Sequence, residues 1–296
     1  MQHTLLAKDF FFDPMLPIRL FHAVRSEGAR WHSHEFTEIA IAISGEAVYE
    51  TEYSSLAIQA GDVLIMPSGG SHFFHNESEL ELFNVLFQFN KLPIPDRDIA
   101  KHPGFSSIFR LNAQYCHENR FYPHFRLSPQ DLERVKNLLQ FACEDQYMQS
   151  SGYLLSVYGA FLQLIPILLN NYQRSLTEPL KLRSPERLAG IMDYMQNNFR
   201  EELLMGDLAQ AACMSIASFE RHFRAATGLT PRDYLLQLRL EEAKGLLANT
   251  EMNISEISME SGFGDSNYFS RQFRVKTGVT PREYRKLRQK NQSVLR

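Results

Sequence analysis

FERHFRAATGLTPRDY (Phe219–Tyr234) and FSRQFRVKTGVTPREY (Phe269–Tyr284) lie fifty residues apart and align without a gap. Ten of the sixteen positions are identical, where average composition gives about one by chance. One supersecondary unit therefore occurs twice in the last third of the chain. In each copy the phenylalanines lie four apart (Phe219 and Phe223, Phe269 and Phe273), which puts them on one buried face of a helix. Gly228 and Gly278 supply a left-handed residue that ends that helix. Thr230-Pro231-Arg232-Asp233 and Thr280-Pro281-Arg282-Glu283 then open the next one, with a threonine cap, proline first and an acid three after the cap.

Upstream of each phenylalanine helix the sequence predicts a shorter one. In the first copy Asp207 caps LAQAA, with Leu208 and Ala211 facing inward. A turn follows at Cys213-Met214, and Ser215 caps the next helix. In the second copy Asn253 or Ser255 starts ISEISMES, GFGD makes the turn, and Asp265 or Ser266 opens NYFSRQFRVKT. Two short helices at a sharp turn form a helix-turn-helix, whose second helix fits the major groove, about 12 Å wide. DYLLQLRLEEAKGLLAN between the units is predicted as an amphipathic helix that holds them rigidly, so that two recognition helices enter successive grooves about 34 Å apart. A helical repeat for protein contacts also satisfies this pattern. Arginines recurring at matched positions favour DNA, as does a basic tail: from Ser266 onward there are 9 basic residues against one acid, Glu283.

Composition bounds the rest. The net charge of −3 over 296 residues hides this basic end. The length allows two or three domains, each with its own core. Three scattered cysteines (Cys116, Cys143, Cys213) argue against a disulfide framework and a cysteine zinc site and fit a reducing cytoplasm. The N-terminus lacks the basic-then-apolar pattern of a signal peptide. The apolar run Tyr153–Leu169 falls short of the roughly 20 residues a spanning helix needs and contains Gln163 and Pro166, so a buried core or dimer helix is expected and no membrane partner.

The first ninety residues alternate β-rich runs with Gly, Pro and Ser turns, the pattern of a small antiparallel barrel or jelly roll. RLSPQDLERVKNLLQFACEDQ and SSGYLLSVYGAFLQLIPILLNNYQ follow as two helices; Leu132, Val135, Leu138 and Leu139 mark the apolar face of the first. LTEPLKLRSPE (Leu176–Glu186) is the candidate linker. The fold class is thus α+β in two domains: a sensing barrel over 1–125, a helical segment over 126–175, a linker over 176–186, and an all-α domain with two helix-turn-helix units over 187–290.

The tract ISEISMESGFGDSNYFSRQFRVKTGVTPREYRKLR resembles the C-terminal signature of AraC-type bacterial transcription regulators, and the likeness spans Pro185 to Arg288. The resemblance implies double-stranded promoter DNA as partner. It places one recognition helix at Ile216 to Ala226, with Ala217, Ser218, Glu220 and Arg221 facing the groove, and the other at Ser266 to Lys276, with Ser266, Asn267, Ser270 and Arg271 facing it. Arginine pairs two-pronged with guanine and asparagine with adenine. Arg224 and Arg274 suit phosphates. Glu220 either accepts from cytosine or is a solvated helix residue.

The front half resembles a cupin. The first motif is Gly28, His32, His34, Glu38 and Gly45, with three residues rather than five between Gly28 and His32; the second is Gly61, Pro67, Gly69, His72 and Asn76, with every spacing kept. In metal-binding cupins the ligands correspond to His32, His34, Glu38 and His72. On one strand, His32, His34 and Glu38 would share a side, and such a set suits iron, manganese, nickel or zinc. Three readings stay open: a divalent metal that helps hold a small polar effector, a metal-free pocket that holds it by hydrogen bonds, and imidazoles satisfied by each other or by water. No cofactor is required by the first-choice reading. His75 and Trp31 are candidates for the pocket mouth. Rhamnose-type sugar regulators are similar in carrying HxH followed by F-x-E here.

The resemblance implies a cytoplasmic transcription regulator, not an enzyme: an activator of a carbohydrate-catabolic operon that responds to a sugar or sugar acid, with RNA polymerase as partner. In this family the helices after the barrel form a homodimer contact; packing against their own barrel is equally open. A metal-dependent cupin enzyme fused to a DNA-binding tail is the rival reading.

Overall fold

The computed structural model describes residues 3–13, 16–25, 30–94, 96–176 and 182–293. Gly28 and residues 177–181 of the linker fall outside them. The chain divides into two compact units, Met1–Gly190 and Ile191–Arg296.

In the first unit the strands are β1 (His3–Leu5), β2 (Ile18–Arg25), β3 (His32–His34), β4 (Thr37–Thr51), β5 (Ser55–Gln59), β6 (Asp62–Met66), β7 (Ser71–Phe87) and β8 (His124–Arg126). They form one sheet in the order β1-β3-β7-β4-β6-β8, with β2 on β7 and β5 on β4. Every pairing is antiparallel except β1 with β3. β8 lies beyond the first ninety residues, which read as a barrel from sequence, and β1 at their start is not marked by the alternation. Each is three residues long, too short to carry a period-2 signal.

Large and small side chains alternate along β4. Ile39, Ile41 and Ile43 join Val63, Ile65, Val85 and Phe87 in one core, and Ala40 and Ala42 join Leu64, Met66, Phe74 and Leu82 in another. The two cores occupy opposite faces of the sheet. Alanines lie on the inner face, and isoleucines on the outer face meet two long helices.

Helices α1 (Ala7–Phe10), α2 (Asp96–Ile99) and α3 (Ala113–Glu118) are short; α4 (Pro129–Met148) and α5 (Tyr153–Ser175) cover the sheet. Val135 and Leu139 of α4 are fully buried in the outer core, with Leu132 and Leu138 packed against it. Gln146 docks α4 onto β2: its Oε1 accepts from Leu20 N at 3.1 Å and its Nε2 donates to Leu20 O at 2.7 Å. α5 is long and apolar enough to cross a membrane, yet Val157, Phe161, Leu164, Ile165 and Leu168 are buried in the same outer core. It is a core helix of this unit.

Asp62 fixes β8 to the sheet edge. Its buried carboxylate accepts from His124 Nε2 at 3.1 Å, Arg126 Nε at 3.0 Å, Arg126 Nη2 at 2.9 Å and Gln59 N at 2.8 Å. Burial opposes its charge, but the His124, Arg126 and Gln59 hydrogen bonds outweigh it and hold the carboxyl down to about 2. Because the folded value is depressed, the stabilisation is present above the unfolded value of about 3.9 and is lost as pH falls toward 2.

The second unit begins within α6 (Ser184–Asn198) and contains α7 (Met205–Ala211), α8 (Ile216–Thr227), α9 (Pro231–Asn249), α10 (Ile254–Glu260), α11 (Ser266–Thr277) and α12 (Pro281–Ser293). α7 and α8 form the first helix-turn-helix and α10 and α11 the second. α7 begins two residues before Asp207, so Asp207 sits in its first turn and Leu204 holds the cap position. Ala209 and Ala212 are buried with Leu208, and Ala211 is exposed. α9 is not one-faced: Tyr234, Leu235, Leu240, Ala243 and Leu247 are all buried, because the helix packs on α8 and on both α10 and α12.

Asp62→Asn is expected to lower the stability of the first unit by about 2 kcal/mol, measured by urea unfolding at pH 7. The deficit relative to the parent protein should shrink as pH falls below about 3.9.

Candidate nucleic-acid interface and barrel site

The repeat is kept in atomic detail. Ser215 Oγ accepts from Ser218 N at 3.3 Å, and an Asp265 carboxylate oxygen accepts from Tyr268 N at 2.6 Å, so each recognition helix starts on a side-chain cap. Each ends on a left-handed glycine, Gly228 at φ 78° and Gly278 at φ 81°. Thr227 Oγ1 donates to Phe223 O at 2.7 Å and Thr277 Oγ1 to Phe273 O at 2.8 Å. Phe219–Phe223–Tyr234 and Phe269–Phe273–Tyr284 form equivalent edge-to-face stacks with centroids 5.3–5.6 Å apart.

The turns differ. The first uses Cys213 at φ 58°; the second uses Gly262, where a Cβ would lie 2.7 Å from Arg200 Cα and 2.9 Å from Phe199 O. Asn253 starts α10 with a reciprocal capping box to Glu256.

With the phenylalanines buried, the opposite faces are open. Ala217, Glu220, Arg221 and Arg224 are exposed on α8, and Asn267, Arg271 and Arg274 on α11; Ser218, Ser266 and Ser270 are partly buried. On the fifty-residue repeat Ser218 matches Tyr268, and Ser266 matches Ile216, which is 52% exposed. Ile216 therefore belongs to the open face in register, and reading α8 for polar groups alone passes over it.

Inside the barrel, His32 and His34 lie on β3 and Glu38 on β4, with a bend at Glu35–Phe36 between them. They are thus not on one strand, and what brings them together is β7: His32 pairs with His72 across β3 and β7. His32, Glu38 and His72 offer donor atoms within 4.8 Å of one another. His34 lies outside that set of three, though its Nε2 is 3.3 Å from Glu38 Oε2. His72 Nε2 is 3.5 Å from the same oxygen.

The hydrogen-bond pattern decides what this cluster can hold. His34 Nδ1 lies 2.7 Å from Phe36 O; a carbonyl only accepts, so Nδ1 carries the proton. Burial pushes the His34 pKa down to about 4, which leaves Nε2 a lone pair aimed at a carboxylate. Burial also opposes charge on Glu38, but the His72 imidazole, with His34 and His32, holds that carboxyl down to about 2. His34 Nε2 and both ring nitrogens of His72 are buried without hydrogen bonds among the described residues. In a neutral imidazole one nitrogen donates and the other accepts, so His34 Nε2 and one nitrogen of His72 are buried acceptors beside the Glu38 carboxylate, and they call for a positive centre or a donor. The donor set fits a divalent metal, and it equally fits donating hydroxyl groups.

Two more polar side chains join the interior by strand register. Tyr49 presents its ring edge-on to His72 at 5.5 Å. Asn84 pairs with Ala40 across β4 and β7, and its buried Oδ1 has no hydrogen-bond partner among the described residues. Period-2 alternation from His72 finds Asn84; Tyr49 is out of phase with Glu38 and reaches the interior because the β4–β7 register shifts between Ala42 and Val48. Phe73 and His75 alternate to the outer face, and Trp31 stacks on Phe73 at 4.6 Å, so Trp31 and His75 do not line the pocket.

A pair of capped helix-turn-helix units on the same chain as a barrel with an inward histidine–carboxylate cluster defines a two-domain helix-turn-helix protein with a cupin. The helix-turn-helix domain family matches residues 208–287 and the cupin domain family residues 20–86. The chain thus carries an AraC-type helix-turn-helix domain and an N-terminal cupin domain. It is 29% identical over 268 residues to the HTH-type transcriptional activator RhaS of Enterobacter sp. (strain 638), covering 90% of this chain and 91% of that one. It is 27% identical over 264 residues to RhaS of Yersinia pestis bv. Antiqua (strain Angola), covering 88% and 90%. Among solved structures, the DNA-binding domain of AdpA in complex with a target DNA is 29% identical over 34% of this chain and 91% of that one, with a TM-score of 0.33. A regulator with an AraC-type DNA-binding domain from Chromobacterium violaceum is 34% identical over 36% and 94%, also at 0.33.

Glu38→Gln replaces one of the facing acceptors by an amide that can donate to His34 or His72. In metal-stripped protein it is expected to stabilise the barrel by about 1 kcal/mol, a rise in Tm of about 2–4 °C. A fall in Tm on calorimetry would mean the carboxylate is already satisfied.

Proposed function

We propose that this protein is a cytoplasmic transcription regulator that binds a promoter through α8 and α11 and activates a carbohydrate-catabolic operon when a small polar effector enters the cupin barrel. The carrying observation is the repeat: Arg221 and Arg271, and Arg224 and Arg274, occupy matched exposed positions on two capped helices. Arg221 and Arg271 suit guanine edges, Asn267 suits adenine, and Arg224 and Arg274 suit phosphates. Relatives named as transcriptional activators support the sign of regulation and make RNA polymerase the expected partner. The same relatives speak against a catalytic role for the barrel.

Glu38 narrows the effector. A carboxylate held ionised in the barrel repels an acid and welcomes hydroxyl donors, so the proposed effector is a neutral sugar or polyol donating to Glu38, His34 and His72. A second reading is favoured by the converging lone pairs: a divalent metal on His32, Glu38 and His72, with His34 behind Glu38. Such an ion would offer a Lewis-acid seat for the effector's oxygens and would let a sugar acid bind. Effector binding acts only through different affinity for the two regulatory states. Homodimerisation through α4 and α5 is part of the proposal; Phe141, Tyr147, Met148 and Leu155 are their exposed apolar residues.

Arg271→Ala is expected to weaken specific DNA binding by about 1–3 kcal/mol and relax one base preference, read by gel shift on sites selected from a random duplex pool. If Arg221→Ala and Arg271→Ala together leave selection unchanged, the groove assignment is wrong. In a thermal-shift screen of chelator-treated protein, neutral sugars should raise Tm and uronic acids should not. Uronic acids that stabilise only after a divalent metal is restored would favour the metal-centred reading.

A further inference from the structure

We infer that the two recognition helices read DNA by different chemistry, and that Ile216 in the first reads a thymine through its C5-methyl group. This rests on the DNA-binding reading above. Ile216 is the first residue of α8, directly after the Ser215 cap, and the N-terminal residues of a recognition helix are those that meet base edges. It is 52% exposed although the same helix buries Phe219, Phe223 and Ala226. At the matched position of α11 the chain has Ser266, a hydroxyl that hydrogen-bonds base edges.

At a groove-reading position an apolar side chain meets base edges by apolar contact, and the thymine methyl is the apolar feature of major-groove base edges. Its neighbours are consistent. Ala217 is exposed beside it, and Glu220 lies one turn on along the same row, where a carboxylate accepts from a cytosine amino group. The Ile216–Glu220 row thus favours pyrimidines on the strand it faces. Arg221 is left to the guanine contact and Arg224 to phosphate. α11 carries Ser266, Asn267, Ser270 and Arg271 at its own groove positions, all hydrogen-bonding groups.

The experiment uses the full-length protein and a duplex selected by it from a random pool. Each thymine is replaced in turn by uracil, which removes only the methyl group. At one position in the half-site of α8, uracil should weaken the parent protein about fourfold, the value of one buried methyl group. Ile216→Ser should lose sensitivity at that position alone, while Ile216→Val keeps it; matching thermal melts confirm that both variants are folded. If every thymine-to-uracil change affects parent and Ile216→Ser equally while both still bind the selected site, the inference fails and the DNA-binding reading stands. If no sequence is enriched from the pool by the parent protein, both fail together.

Discussion

Everything in the second unit depends on α9 being buried on more than one side. A surface helix needs one apolar stripe, but α9 buries Tyr234 and Leu235 near its start and Leu240, Ala243 and Leu247 further along. Phe223 stacks on Tyr234 at 5.3 Å, and Phe269 and Phe273 share a core with Leu240, Ala243 and Leu247. Each such side chain contributes about 1.5–3 kcal/mol when fully buried. Separating the two helix-turn-helix units would expose one set or the other. Polar ties add direction: Arg239 donates to Phe199 O at 2.7 Å and Glu201 O at 2.8 Å, and Arg200 pairs with the buried carboxylate of Glu242. The exposed Lys276–Asp233 pair at 3.9 Å adds little. The consequence is that α8 and α11 are presented as one fixed pair.

In the first unit the corresponding constraint is the period of two along β4. Isoleucines on one face are covered by α4 and α5; alanines lie on the other with Glu38, Tyr49 and Asn84. An ionised carboxylate there, whose cross-strand neighbours are Met66 and Leu86, is expensive unless something offsets it. His34 and His72 supply partial compensation and leave lone pairs facing inward. The cluster is therefore built for an occupant that brings positive charge or donated hydrogen bonds.

Much of this was legible in the sequence where a motif has fixed spacing. The fifty-residue repeat located the caps at Ser215, Thr230 and Thr280, the C-terminal glycines and the buried phenylalanines. The cupin spacing located Glu38 and His72 on facing strands. Misreadings arose where position depends on tertiary packing. Asp207 looks like a cap, but the helix begins at Met205 with Leu204 in the cap position, which leaves Asp207 in the first turn. β8 is too short to announce itself, and what holds it is Asp62, sixty-two residues from His124. The bend at Glu35–Phe36, which separates His34 from Glu38, has no glycine or proline to mark it. His75 follows the alternation of β7 to the outside and Trp31, just before β3, packs on Phe73 there, which a ligand-centred reading overlooks. Ile216 was hidden because exposed apolar residues carry no polar signature.

The central claim, that α9 makes the two recognition helices a single rigid reader, is most directly tested by the spacing of the DNA site. A duplex selected by the protein is lengthened by about five base pairs between its two contacted segments, which rotates one by half a helical turn relative to the other. The account predicts that affinity falls to the non-specific level. Unchanged affinity for the lengthened duplex would contradict it, because it would mean that the two units move independently.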